Sequence, residues 1–182
     1  PLYWWPRGLG VQNLYRLTVN LYGEVDIEDS YETRLGLRRV EFGEGATVRV
    51  NGSAMIPMGA VYYADSDSDR LVAEERTAKQ VSAAAMAGYN CLVLPLASPV
   101  PCEKLYELCD AYGILIIEEH LAEDSLVIPK LKARIDHPSL CLVDLITDEN
   151  SEAEALAIKE AVPQLNILPV SEVEKYIGSP AL

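Results

Sequence analysis

Five carboxylates and one imidazole gather where two apolar runs give out. Glu118, Glu119 and His120 follow Ile114–Ile117, and Asp144, Asp148 and Glu149 lie within or just past Cys141–Ile146. Such groups on one rim could bind a divalent cation or accept hydrogen bonds from sugar hydroxyls. Adjacent strand residues face opposite ways, so at most two of each trio can converge. A solvated acidic rim is the plainer account, and no metal site is assigned. Trp4 and Trp5 carry flat faces that suit either sugar C–H surfaces or packing between two parts of the fold. Trp5 joins Glu119, His120 and Asp144 as a substrate-binding candidate.

Other chemistry finds little support. Asp65-Ser-Asp-Ser-Asp69 alternates like a Ca²⁺ loop but lacks the glycine and distal glutamate, and an acidic helix cap explains it more simply. There is no P-loop, no GxGxxG after a strand, no GxSxG and no HExxH. Nucleotide-dependent and serine-hydrolase readings therefore lack support, and no cofactor is expected. The four cysteines form no CxxC pair, and Cys91 and Cys141 sit in apolar runs as small core hydrophobes.

The elements that must hold the rim differ between two halves. Residues 1–52 have the grammar of β structure. Leu14–Tyr22 alternates Tyr15, Leu17, Val19 and Leu21 against polar neighbours, the period of a half-buried strand. Tyr31–Phe42 is a second strand, Gly43-Glu-Gly45 a turn, and Thr47–Val50 runs into Asn51-Gly52, a favoured hairpin turn. Too few strands are present to close a two-sheet sandwich, so this half looks like the back of a larger domain.

Residues 53–182 alternate strands with helices. Ala54–Tyr63, Cys91–Leu96, Ile114–Ile117, Cys141–Ile146 and Asn166–Val170 are the apolar strand candidates. Between them, Leu71–Gly88 is helical with Ala78, Val81 and Ala85 on one face. Leu105, Leu108, Cys109 and Tyr112 recur at helical spacing before Gly113, and Ile128, Leu131 and Ile135 mark a shorter helix. Ser151 and Glu154 spell a capping box ahead of Ala155, Ile158 and Val162, and Ser171/Glu174 repeat it. Five such strands predict an α/β fold with a parallel sheet, either an open sheet or part of a (β/α) barrel.

Charge and length bound the rest. With 15 Lys+Arg against 28 Asp+Glu the net charge is −13, which repels a phosphate backbone and excludes nucleic acid as the expected partner. No apolar run approaches the ~20 residues of a membrane span. A length of 182 residues allows one domain or one with a partial neighbour. The N-terminus Pro1-Leu-Tyr-Trp-Trp-Pro-Arg lacks both an initiating Met and the layout of a signal peptide. The chain is expected to be a segment of something longer, and its compartment is undetermined.

Several phrases, in order, resemble the family 2 glycoside hydrolases, most closely their β-mannosidase-like branch. They are Trp4-Trp-Pro-Arg-Gly-Leu-Gly10 with Leu14-Tyr15, Arg34-Leu-Gly-Leu-Arg38, Val50-Asn-Gly52 with Pro57-Met-Gly-Ala60, and Ala87-Gly-Tyr-Asn-Cys-Leu92. Leu105–Leu115 and His137-Pro-Ser-Leu140 complete the set. The resemblance implies the end of an immunoglobulin-like β-sandwich followed by a truncated (β/α) TIM-barrel-like domain. It implies retaining hydrolysis of a terminal β-glycoside in the parent family, using two carboxyl groups about 5–5.5 Å apart.

In that family the acid/base is the Glu of an Asn-Glu pair ending barrel strand 4. Asp148-Glu149 stands there about one residue late, so Glu149 is the acid/base candidate and Asp148 the candidate in an ungapped register. The family's Arg-x-Trp-Gly-Gly run is replaced by Val93-Leu-Pro-Leu-Ala97, and its Trp-Gln-Asp-Phe by Ile117-Glu-Glu-His120. The nucleophile's strand is expected beyond Leu182. The chain alone is thus expected to be inactive, with carbohydrate as the expected ligand. A non-catalytic binding or assembly module on a degenerate glycosidase fold is the alternative. Its edge would be covered by a homo-oligomer or by the remainder of the parent chain.

Overall fold

The computed structural model describes residues 1–43, 47–147, 152–169 and Tyr176. Its first strands, β1 (Tyr15–Tyr22) and β2 (Ile27–Leu35), form an antiparallel two-stranded ribbon. The expected alternation is present, but its apolar face is not buried. Leu17, Val19 and Leu21 are 42%, 53% and 60% exposed, because no second sheet among the described residues covers the ribbon.

The strand expected over Tyr31–Phe42 is two strands in two sheets. After β2 the chain turns through Gly36, where a Cβ would lie 2.6 Å from the Pro138 ring, so only glycine fits this approach. It then enters β3 (Val40–Gly43), which pairs with β4 (Thr47–Val50), and β4 pairs with β5 (Ser53–Met55). The Asn51-Gly52 hairpin is present with both residues at positive φ, 50° and 85°, as a two-residue turn between twisted strands requires. Residues 44–46, within the expected Gly43–Gly45 turn, lie outside the described residues.

The strand expected over Ala54–Tyr63 also divides. β5 takes its start, and β6 (Gly59–Val61) opens a parallel sheet. That sheet continues through β7 (Cys91–Leu94), β8 (Leu115–Leu121), β9 (Leu140–Ile146) and β10 (Asn166–Pro169). The spatial order is the chain order, with no reversal of the kind that marks a doubly wound sheet.

Between these strands run α1 (Arg70–Met86), α2 (Glu103–Tyr112), α3 (Val127–Lys132) and α4 (Glu152–Ala161). Asp69 caps α1 through its carboxylate, which accepts from the Leu71 and Val72 amides, the cap expected of the Asp65–Asp69 run. Val81 and Ala85 are buried as expected. Ala73 and Thr77 complete that face, while Ala78 is only half-buried. Val127 and Leu131 bury the short α3, whereas Ile135 lies past its end and is 40% exposed. Ser151 and Ser171 lie outside the described residues.

Two cores follow from the pleat of the parallel sheet. Leu92, Leu94, Ile116, Val143, Leu145 and Ile167 face the four helices found among the described residues. Cys91, Leu115, Ile117 and Leu142 face the other way and pack with Trp4, Val40, Val48 and Val50. The antiparallel sheet and the Trp4 segment thus cover one part of the face that the helices leave open. The chain is a mixed α/β fold with a five-stranded parallel sheet. No helix among the described residues is long and apolar enough to cross a membrane.

Candidate functional site

On the face turned away from the helices, β8 runs Leu115, Ile117, Glu119, and β9 runs Leu142, Asp144. The surface thus changes from apolar to acidic as the strands approach their C-terminal ends. Glu119 and Asp144 are cross-strand partners, and Leu168 on β10 is the partner of Asp144. Asp144 is 4% exposed. Glu119 is half-buried, and its Oε2 accepts from the Leu96 amide at 3.0 Å, which ties the loop after β7 to β8. Two carboxylates on neighbouring parallel strands form the acidic centre of this rim.

Glu118 and His120 take the opposite face, as the strand period requires. Glu118 is buried against α2 and α3. It accepts from Tyr106 Oη at 2.5 Å and meets His120 Nε2 at 2.8 Å and Arg134 Nη1 at 3.3 Å. Burial pushes this carboxyl upward, but the His120 hydrogen bond, the Arg134 charge and the Tyr106 hydroxyl together hold it below the usual range. Burial and the Glu118 charge drive the Tyr106 phenol well above its ordinary value, so it is the donor. A pocket of about 100 Å³, bounded by the loop through Pro95–Pro101, is lined by Glu118, Glu119, His120 and Arg134.

The structure therefore sets Glu119 in register with Asp144 on one face of the sheet and His120 on the other, while Glu119, tied to the Leu96 amide, borders the same pocket as His120. Trp5 belongs to neither group. Its segment is held by Trp4 Nε1 donating to the Asp110 carbonyl at 2.8 Å and by the Arg7 amide donating to the Gly113 carbonyl at 2.7 Å. These contacts lie where α2 passes into the start of β8, the opposite end of that strand from Glu119. The Trp5 ring packs so close to Gly10 that a Cβ there would lie 2.7 Å from Trp5 Cγ. Asp148 and Glu149 lie outside the described residues. Among the described residues no group of three or more His, Cys, Asp or Glu side chains is placed to hold a metal ion.

One polar cluster escaped sequence reasoning. His137 Nδ1 lies 2.6 Å from Asp110 Oδ2, and His137 Nε2 lies 2.7 Å from Glu103 Oε1. Asp110 Oδ1 also accepts from the Ser139 amide at 2.9 Å. The signal was available. Glu103 and Asp110 are seven residues apart on α2, two turns along one face, and Asp110 sits between apolar positions.

Comparison with known proteins follows the same outline. The family model "Glycosyl hydrolases family 2" matches residues 1–38. The mannosylglycoprotein endo-β-mannosidase of Lilium longiflorum is 27% identical over 126 residues, covering 65% of this chain and 13% of that protein. The β-mannosidase A of Aspergillus niger is 25% identical over 214 aligned residues, covering 98% of this chain and 22% of that protein. Among solved structures, the Amycolatopsis orientalis exo-chitosanase CsxA superposes with a TM-score of 0.71 at 21% identity, over 93% of this chain and 23% of that one. The Parabacteroides merdae β-glucuronidase gives 0.74 at 17% identity, over 92% and 25%. The chain carries a partial family 2 glycoside hydrolase match of β-mannosidase-like character. It spans 13% and 22% of the lengths of the two curated relatives.

Proposed function

We propose that the chain is a segment of a family 2-like glycoside hydrolase. Residues 1–52 are the last strands of an immunoglobulin-like β-sandwich, and residues 53–182 are the first part of a (β/α) barrel. The observation that carries the reading is the sheet itself. Its parallel strands lie in chain order, the helices among the described residues pack on one face, and Glu119 and Asp144 lie in register on the other face near the strands' C-terminal ends. That is where a barrel of this type concentrates its chemistry.

In this reading the parent reaction is retaining hydrolysis of a terminal β-glycoside, with Glu149 the acid/base and Asp148 the candidate in the alternative register. Glu119 and Asp144 accept hydrogen bonds from substrate hydroxyls. The 182 residues alone do not complete the double displacement, which needs a nucleophilic carboxylate about 5–5.5 Å from the acid/base. Incubation of the chain with aryl β-mannoside, β-glucosaminide and β-glucoside should release no phenol above the buffer rate. Measured turnover of any of them overturns the inactive assignment. In the full-length reading frame, E149Q should lower turnover by about 10²–10⁴-fold while D148N leaves most of it, and the reverse result moves the role to Asp148.

A second reading, a non-catalytic assembly module, is supported by the uncovered apolar face of the β1–β2 ribbon, where Val19 and Tyr31 are cross-strand partners and both exposed. Sedimentation velocity separates the two. A well-folded dimer that V19K disperses favours the module, and a monomer at all concentrations removes it.

A further inference from the structure

A cavity of about 750 Å³ lies between the β1–β2 ribbon and α2. Its size is in the ~300–1,000 Å³ range of small-molecule sites. It flanks α2 on the side of the sheet away from Glu119 and Asp144. Arg16 and Arg34, both in its wall, are directly opposed across the ribbon and share one face. Like charges opposite one another weaken a strand pair. Among the described residues neither guanidinium has an ion-pair or hydrogen-bond partner, although the chain has 28 carboxylates to offer. Both side chains are exposed, and Arg7 likewise lacks one, whereas Arg39, Arg70, Arg76 and Arg134 each have one.

The neighbouring charges sharpen what could sit there. Lys104 Nζ is 2.9 Å from Glu107 Oε2, which raises its pKa, and Arg34 stands near enough to pull that value back. His137 forms part of the wall, but its charge is already matched by Asp110 and Glu103. The unmatched positive charge is therefore the arginine pair. Glu32, on the same ribbon face, and Glu107 across the cavity are acceptors suited to hydroxyl donors. A bare inorganic anion would satisfy the arginines and leave most of the volume and both acceptors unused.

We infer that this cavity binds a sugar carrying an acidic group, with the phosphate or carboxylate held between Arg16 and Arg34 and the hydroxyls donating to Glu32 and Glu107. The site is separate from the glycosidase reading and stands if that reading fails. Two guanidinium forks bind an oxyanion through charge-assisted hydrogen bonds, and the bound charge relieves their mutual repulsion.

Titration calorimetry on the 182-residue chain tests it with glucose 6-phosphate, galacturonate, glucose and inorganic phosphate. At least one acidic sugar should bind about tenfold more tightly than glucose or inorganic phosphate, and the tighter of the two identifies phosphate or carboxylate as the preferred group. R16Q and R34Q should each weaken that binding about tenfold, while R39Q leaves it unchanged. R34E should abolish it and raise the thermal midpoint, since an opposite-charge pair replaces a like-charge one. Absence of binding by both acidic sugars, equal binding of glucose, or wild-type affinity in R16Q and R34Q overturns the proposal. A lowered midpoint in R34E also counts against it, because the repulsion it rests on would then be missing.

Discussion

The His137 imidazole and the Asp110 carboxylate meet at 2.6 Å, and both side chains are almost fully buried, at 6% and 3% exposure. Through this contact the second turn of α2 is fastened to the chain entering β9. Asp110 binds the Ser139 amide with its other oxygen, so one carboxylate fixes both the side chain and the backbone of the His137-Pro-Ser139 turn. Glu103 holds the far side of the ring from the first turn of α2. The carboxylates make His137 a charged structural pin.

The pin predicts a stability loss on the alkaline side. Burial pushes the imidazole's pKa down, but Asp110 and Glu103 outweigh it and raise it to about 9 from 6.5. A raised folded-state value means that the contribution is complete below pH ~6.5 and fades as pH rises through about 9. Its full size is on the order of 3 kcal/mol. Urea unfolding of the wild type should show this decline between those limits, and H137Q should lack it. An equal slope in both proteins removes His137 as the cause.

Behind the acidic rim, E118Q should be strongly destabilising. The amide cannot balance Arg134, whose side chain is 11% exposed, and breaking a buried pair in this way costs about 3–5 kcal/mol. Y106F removes only one donor to the same carboxylate and should cost about 1–2 kcal/mol. Chemical denaturation of both variants checks the ranking. A milder E118Q than Y106F would contradict the geometry.

Two glycines with similar backbone should respond differently to alanine. Gly88 has φ +90° and open space where a Cβ would go, so G88A should cost about 1 kcal/mol of backbone strain. Gly113 has φ +72°, and its Cβ would come 2.5 Å from the Arg7 amide nitrogen. G113A must also displace the Trp4–Arg7 segment and should cost about 3 kcal/mol. Thermal unfolding of the pair, with G113A the lower, is the expected result.

Much of the fold was legible because it depends on local periodicity. The alternation of Tyr15–Tyr22, the helical spacing of Leu105 to Tyr112 before Gly113, and the Asn51-Gly52 turn each follow from neighbours in the chain. The failures lie where distant partners decide. Leu17, Val19 and Leu21 have the pattern of a buried face, yet burial requires a second layer that the pattern cannot supply. Tyr31–Phe42 divides because Gly36 must pass close to Pro138, a contact more than a hundred residues away.

The site divides along the same line. From sequence alone, Glu118, Glu119 and His120 end a strand and cannot all point one way, since the two-residue period is a property of the extended backbone. The phrases shared with family 2 glycoside hydrolases were also there to be read. Tertiary structure decided which carboxylate went where. Glu119 lies in register with Asp144 because β8 and β9 pair side by side, while Glu118 turns inward to Tyr106, His120 and Arg134. Strand pairing and helix packing set those partners across long sequence separations. For the same reason, only the folded chain shows that Arg16 and Arg34 face each other across a cavity.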